Sequence, residues 1–182
     1  MIQIMTRPEI RLRQLQPADI EAVHSWAGLP EVCRYQAWGP NSLPQTRAFV
    51  EEAAAAWHVE PQTRFTYAAL LHNEVIGMGE FHIRNVTHAQ GAIQYVTHPR
   101  LWRNGLGTAI GRQLLHIGFH QLGMHRVYAT CDPRNTASAA VLNKLGMTYE
   151  GHLRHTMKLR DGWRDSAIFS ILATEWRTAT SS

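Results

Sequence analysis

The eleven residues Thr97 to Gly107, T-H-P-R-L-W-R-N-G-L-G, restrict the fold of this chain more than any other stretch. They join a short apolar run (Ile93, Tyr95, Val96) that reads as a strand to a long pattern of helical period, so two glycines fall where a helix begins. The first amides of a helix have no partner within it, and the macrodipole places partial positive charge there. A phosphate binds such an end when no side chain blocks its approach. Gly105 and Gly107 remove that block, Arg103 adds a fixed charge and Asn104 brings two amide donors. From Leu106 the apolar positions Ile110, Leu114, Leu115, Gly118 and Leu122 predict a helix that Gly123 stops, and Arg126 to Thr130 reads as the next strand. A strand, helix, strand unit of this size is normally a right-handed parallel crossover.

The remaining segments surround that unit with antiparallel structure. Glu9 to Leu15 alternates as a strand, Pro17-Ala18-Asp19 starts a helix carrying Ile20, Val23 and Trp26, and a short helix follows Pro30. Ser42 to Trp57 predicts a longer helix with Ser42 as its cap. Arg64 to Leu71 and Val75 to Arg84 read as a hairpin, and Gly91 to Thr97 as a further strand. On the second hairpin strand Met78, Glu80 and His82 share one face, and Gly77, Gly79 and Phe81 the other. Thr136 to Leu145 is a short helix between Asn135 and Gly146, and Tyr149 to Leu172 a long hairpin turning at Asp161-Gly162. These elements give an α/β (α+β) class, with a mixed, mostly antiparallel sheet and one parallel crossover.

Length fits a single domain over residues 9–176, with an N-terminal extension at 1–8 and a tail at 177–182 of the 182 residues. The formal charge of +4 has no block of like sign behind it, which favours a solvated surface over a nucleic-acid patch. Two widely separated cysteines, Cys33 and Cys131, imply a reducing compartment. The absence of a signal-like start or a long apolar run points to a cytoplasmic protein without a membrane span. His116 and His120 sit four apart without the Glu or third ligand that a zinc site needs, so no metal is expected.

The segment N-T-A-S-A-A-V-L-N-K-L-G-M, Asn135 to Met147, together with W-R-N-G-L-G, resembles the GNAT acetyltransferases. Within them it resembles the branch that acetylates ribosomal-protein N-termini, and the opening I-R-L-R-Q-L-Q-P-A-D and the ending through D-G-W-R-D keep that branch's order. The resemblance implies transfer from acetyl-CoA to an amine, a protein N-terminus or a small molecule, by a monomer or homodimer. It implies that Trp102, Arg103, Asn104, Gly105, Leu106, Gly107 and Thr108 cradle the CoA pyrophosphate, and that Val96 and Thr97 pair with the pantetheine arm through backbone groups. Asn135 matches the asparagine that contacts the arm, Ser138 the hydroxyl near the thioester, and Lys144 falls in the same cofactor motif. Two positions depart from the branch: Arg103 stands where glycine is common, and Ala92 where the preceding strand commonly carries an acid.

Amide formation from a thioester needs a neutral amine, a stabilised oxyanion and a proton for the departing thiolate. With no acid at Ala92, Glu80 is the leading base, acting through a water, and His82 its understudy, since an ordinary imidazole titrates near neutrality. Ser138 is the candidate proton donor to sulfur, or else part of the helix cap. Tyr95 and Tyr149 read as core, and Cys131 as a small buried residue. Three other readings stand beside the transferase: a dinucleotide site using G-L-G and Asp132, a non-catalytic acyl-CoA sensor, and a nucleic-acid binder. The glycine and acid spacings run late for the first.

Overall fold

The computed structural model describes residues 9–180. The strands are β1 (Arg11–Gln14), β2 (Arg64–Leu71), β3 (Glu74–Asn85), β4 (Gln90–Thr97), β5 (Arg126–Cys131), β6 (Thr148–Leu159) and β7 (Gly162–Leu172). The helices are α1 (Ile20–Ala27), α2 (Pro30–Cys33), α3 (Leu43–Ala55), α4 (Leu106–His116), α5 (Thr136–Lys144) and α6 (Ala173–Thr180). Among the described residues the strands form one sheet in the order β1-β2-β3-β4-β5-β7-β6. Every neighbouring pair is antiparallel except β4 with β5. The mixed sheet and its single parallel crossover are those the sequence predicts.

Alternation along β3 sorts the helices onto two faces. Phe81 joins Ile93, Val127 and Phe169 beneath α4. A Cβ on Gly79 would stand 2.9 Å from Ile110 Cγ2 and 3.0 Å from Leu114 Cδ1, so α4 lies directly on that strand. Met78, on the opposite face, packs with Leu15, Val23, Trp26 and Val50 beneath α1 and α3. Ser42 caps α3 as expected: Gln45 N–H donates to its hydroxyl at 3.5 Å, and the Gln45 side chain accepts from Ser42 N–H at 2.8 Å. Such a reciprocal cap contributes roughly 1 kcal/mol.

The feature that positions the site is where pairing stops. β4 and β5 are joined only through Gln90, Ala92 and the residue between them, opposite Arg126 to Tyr128. β4 continues against β3 to Thr97, and β5 against β7 to Cys131. Beyond Ala92 the two parallel strands therefore have no ladder between them, and the sheet opens into a wedge.

Several elements differ from the sequence reading. β1 is shorter than Glu9 to Leu15, although Leu15 N–H still donates to Thr66 at 3.0 Å. The helix after Leu106 changes at Ile117–Gln121 into a wider π turn, which brings Gly118 against the Phe81 ring. β6 lacks the buried face its alternation suggests: the register shifts twice, at Tyr149/Gly151 and Leu153/Met157, and Tyr149 and Leu153 are exposed at the sheet edge. α6 goes unforeseen; Trp176 buries itself there by stacking on Phe119, ring centroids 5.9 Å apart. It carries the chain through residues 177–180, expected as tail, while the extension at 1–8 and the last two residues lie outside the described residues.

Candidate active site

A cavity of about 600 Å³ fills the wedge. Residues 93–96 of β4 and 129–131 of β5 form its sides, Ser138 of α5 and Asn135 just before that helix one end, and the loop between α2 and α3 a wall facing Arg164 of β7. A second hollow of about 430 Å³ shares His82, Gln94, Thr130 and Met157 with the first and continues toward Ser166.

One end of the wedge has the character of a phosphate site. Gly105 precedes α4 in the left-handed region at φ +75°, and no atom lies within 4 Å of the place a Cβ would occupy. The backbone needs glycine, and the space before the first turn of α4 is open. Arg103 is exposed beside it, Thr108 half-buried in the first turn, and Leu106 anchors the helix in the core. Gly107 lets Tyr95 close in, since a Cβ there would stand 3.3 Å from its ring. The Trp102 indole donates to the Thr97 carbonyl at 3.1 Å, which fixes the loop to the end of β4. Asn104 does not offer its amide outward: Nδ2 donates to the carbonyls of Leu101 and Trp102, bracing the turn.

From there the unpaired edge of β4, including Val96, leads into the cavity. Asn135 lines it while its Oδ1 accepts from Ser138 N–H at 3.1 Å, the cap the sequence predicts for α5. The Ser138 hydroxyl is not used in that cap; it lies 3.4 Å from Tyr95 Oη. Tyr95, read as core from the sequence, thus also presents its hydroxyl to the cavity, and burial pushes its pKa up to about 12. Lys144 is exposed in the last turn of α5 and does not line the cavity. An open helix start, an unpaired strand edge and two facing hydroxyls in series fit a long diphosphate-bearing thioester such as acetyl-CoA.

The other end is built on Glu80, only 2% exposed. Thr66, Glu80 and Gln94 are cross-strand neighbours on β2, β3 and β4, and so are Arg64, His82 and Ala92. Arg64 Nε donates to Glu80 Oε1 at 2.9 Å and Thr66 Oγ1 donates to it at 2.6 Å; Gln94 Nε2 and, at 3.5 Å, His82 Nε2 reach Oε2. Burial alone would raise the Glu80 pKa, but the hydrogen bonds from His82 and Thr66 and the Arg64 charge outweigh it and hold the carboxyl at about 2. A carboxylate so fully engaged is a weak proton acceptor, which counts against Glu80 as the base. His82 opens onto both hollows, and the small Ala92 beside it leaves that side free.

Arg64, Thr66, Gln94 and Arg164 escape the sequence reading. The first three had a legible signal, since a buried acid on a central strand requires donors from the strands either side. The sequence does not show which residues those are without the register. Cys131 is buried as read, its thiol pushed up by burial. No group of three or more His, Cys, Asp or Glu side chains able to hold a metal occurs among the described residues. None of their helices is long and apolar enough to cross a membrane.

Residues 9–148 match the family model described as the acetyltransferase (GNAT) domain. The chain is 29% identical over 173 residues to the uncharacterized N-acetyltransferase YoaA of Bacillus subtilis (strain 168), across 94% of this chain and 98% of the relative. It is 25% identical over 168 residues to the spermidine N(1)-acetyltransferase of Escherichia coli (strain K12), across 92% of this chain and 88% of the relative. The crystal structure of a GNAT-family acetyltransferase from Bacillus anthracis superposes with a TM-score of 0.81 at 26% identity, covering 93% of this chain and 98% of that one.

Proposed function

The chain belongs to the GNAT acetyltransferases, and from that premise we propose that it transfers an acetyl group from acetyl-CoA to a primary α-amine, by direct attack while donor and acceptor share the wedge. The observation that carries this reading is the parting of β4 and β5 after Ala92, with α4's open N-terminus at one end and the Glu80–His82 cluster at the other. The donor supplies its acetyl group as an activated thioester. Gly105, Gly107 and the amides of the first turn of α4 hold its diphosphate, with Arg103 as counter-charge. The β4 edge at Val96 and Thr97, with Asn135, guides its arm.

The acceptor argument is electrostatic. His82 is the proton acceptor in this reading, and Glu80, held as an anion, orients its imidazole by the contact at 3.5 Å. From the neutral amine, a nitrogen–carbon bond forms as the carbon–sulfur bond breaks; the nitrogen gives one proton to His82, and Ser138, next to Tyr95, relays one to sulfur and takes its replacement from solvent. A single imidazole suits an α-amine with a pKa near 7.7–8.0 better than a lysine-type amine near 10.4, a gap worth roughly 3.5 kcal/mol of deprotonation at neutral pH. Labelled acetyl-CoA offered with N-terminal peptides, lysine peptides and spermidine tests this. Label on α-amines is expected, and exclusive labelling of spermidine or lysine side chains would reject it.

A further inference from the structure

The charges lining the wedge do not pair off evenly. Glu80 has Arg64, and Asp132 has Arg134, whose Nε and Nη2 reach its two oxygens at 3.0 and 2.7 Å. Arg164 has no such partner among the described residues. It is 6% exposed and donates to three neutral oxygens: the Tyr35 carbonyl at 3.1 Å, the Asp165 carbonyl at 3.2 Å and the Ser166 hydroxyl at 2.7 Å. A guanidinium has five N–H groups, so two remain beyond these three bonds. A charge is rarely buried without an opposite charge unless something that binds there supplies it. Asp132 contributes only at a distance, since its oxygens are already occupied by Arg134 and by the Arg134 backbone amide.

The position of Arg164 says which substrate would bring that charge. It bridges β7 to the loop between α2 and α3, on the sheet face that carries Met78, Glu80 and His82 and lies opposite α4, and its charge also reaches Cys131 and Asp132. It therefore belongs to the acceptor's half of the wedge, together with the Glu80–His82 cluster. That half offers a buried cation and, separately, a carboxylate and imidazole suited to an amine.

We propose that the acceptor carries a carboxylate close to its α-amine and that Arg164 holds this carboxylate. This rests on the transferase reading above and narrows it. It also supplies a chemical benefit. A carboxylate near an ammonium stabilises the ammonium's proton, and pairing the carboxylate with a guanidinium relieves that effect, so a larger share of the amine is neutral and able to attack. Two sources share the chemistry, a free amino acid and a peptide N-terminus with an acidic side chain next to it. A polyamine has no anion to offer, and Arg164 opposes it.

The test uses the full chain loaded with CoA and needs no turnover: calorimetric titration with amino acids and their carboxamides, and with peptides carrying Asp or Asn at the second position. Each acid is expected to bind at least about tenfold tighter than its neutral isostere, as loss of a charge-assisted bidentate contact implies. Preference within the amino-acid pair assigns the free acid, and within the peptide pair the acidic N-terminus. Equal binding of acid and isostere in both pairs, or tighter binding of spermidine, overturns the proposal. Preference for a carboxylated acyl donor such as succinyl-CoA over acetyl-CoA, without an acid preference on the acceptor, also overturns it. In kinetics, Arg164→Gln is expected to raise the acceptor KM about tenfold and leave the acetyl-CoA KM in place, with Arg164→Lys recovering part of the loss. The wild-type titrations decide the matter even if neither variant folds. CoA binding with an acid preference but no acetylation would reject the transferase reading and keep only the assignment of Arg164 as a carboxylate-binding residue.

Discussion

At the scale of single residues, the site depends on how partners divide the work around one buried acid. Glu80 gains stability as an anion, and its folded pKa of about 2 lies below the ordinary 4.5. A depressed carboxyl pKa contributes stability that is present above the unfolded value and lost as pH falls toward the folded one, so acid sensitivity should build between about pH 4.5 and 2. The contribution is on the order of 3 kcal/mol at neutral pH. Glu80→Gln is expected to be less stable at pH 7 by about that order and to lose most of this slope, as urea titrations across the window would show. His82→Gln should lower kcat by about 10²-fold, with the acetyl-CoA KM unchanged. A small effect would return the proton to water. Asn135→Ala removes the α5 cap, costing about 1 kcal/mol by thermal melts, and should weaken CoA binding in the same variant. Only part of this was legible beforehand. Alternation along β3 puts Glu80 and His82 on one face, but the donors that saturate Glu80 come from β2 and β4, and local sequence does not carry that register.

At the scale of elements, the contact between α4 and β3 controls where the phosphate loop sits. Gly79→Val is expected to force Ile110 and Leu114 outward, destabilise the protein by about 1–3 kcal/mol and lower CoA affinity by shifting the start of α4. Gly105→Ala separates strain from clash. It meets no atom within 4 Å but must hold φ +75°, so it should cost about 1 kcal/mol without moving the helix. The strong helices and the central strands follow directly from period and punctuation in the sequence. β6 and α6 do not. β6 is an edge strand whose odd-numbered apolar residues suggest a hidden face, yet two register shifts leave Tyr149 and Leu153 exposed. α6 has a weak pattern of its own and depends on Trp176 finding Phe119 from a distant segment.

At the scale of the whole molecule, the sheet separates two apolar cores and leaves the wedge as the place where ligand can add contacts. A ligand present at 100 times its Kd adds about 2.7 kcal/mol of stability, which for a chain of this size is a rise of roughly 5–10 °C in Tm. Calorimetric melts with saturating CoA should show that rise, and Asn135→Ala should reduce it. The fold class was readable because one glycine-punctuated junction forces a crossover. The gap itself was not, because it depends on where a ladder ends and no residue marks that point.

The α2–α3 loop meets the last hairpin through contacts far apart along the chain, among them Tyr35 with Arg164 and Trp38 with Arg160. β7 also lies between β5 and β6, so the sheet closes only when the final strands are made. During translation at about 5–20 residues per second, the sequence separation of 129 between Tyr35 and Arg164 imposes a delay of roughly 6–26 s. A nascent chain therefore completes the diphosphate-gripping turn at Gly105 to Gly107 before Arg164, which closes the acceptor wall, has been made.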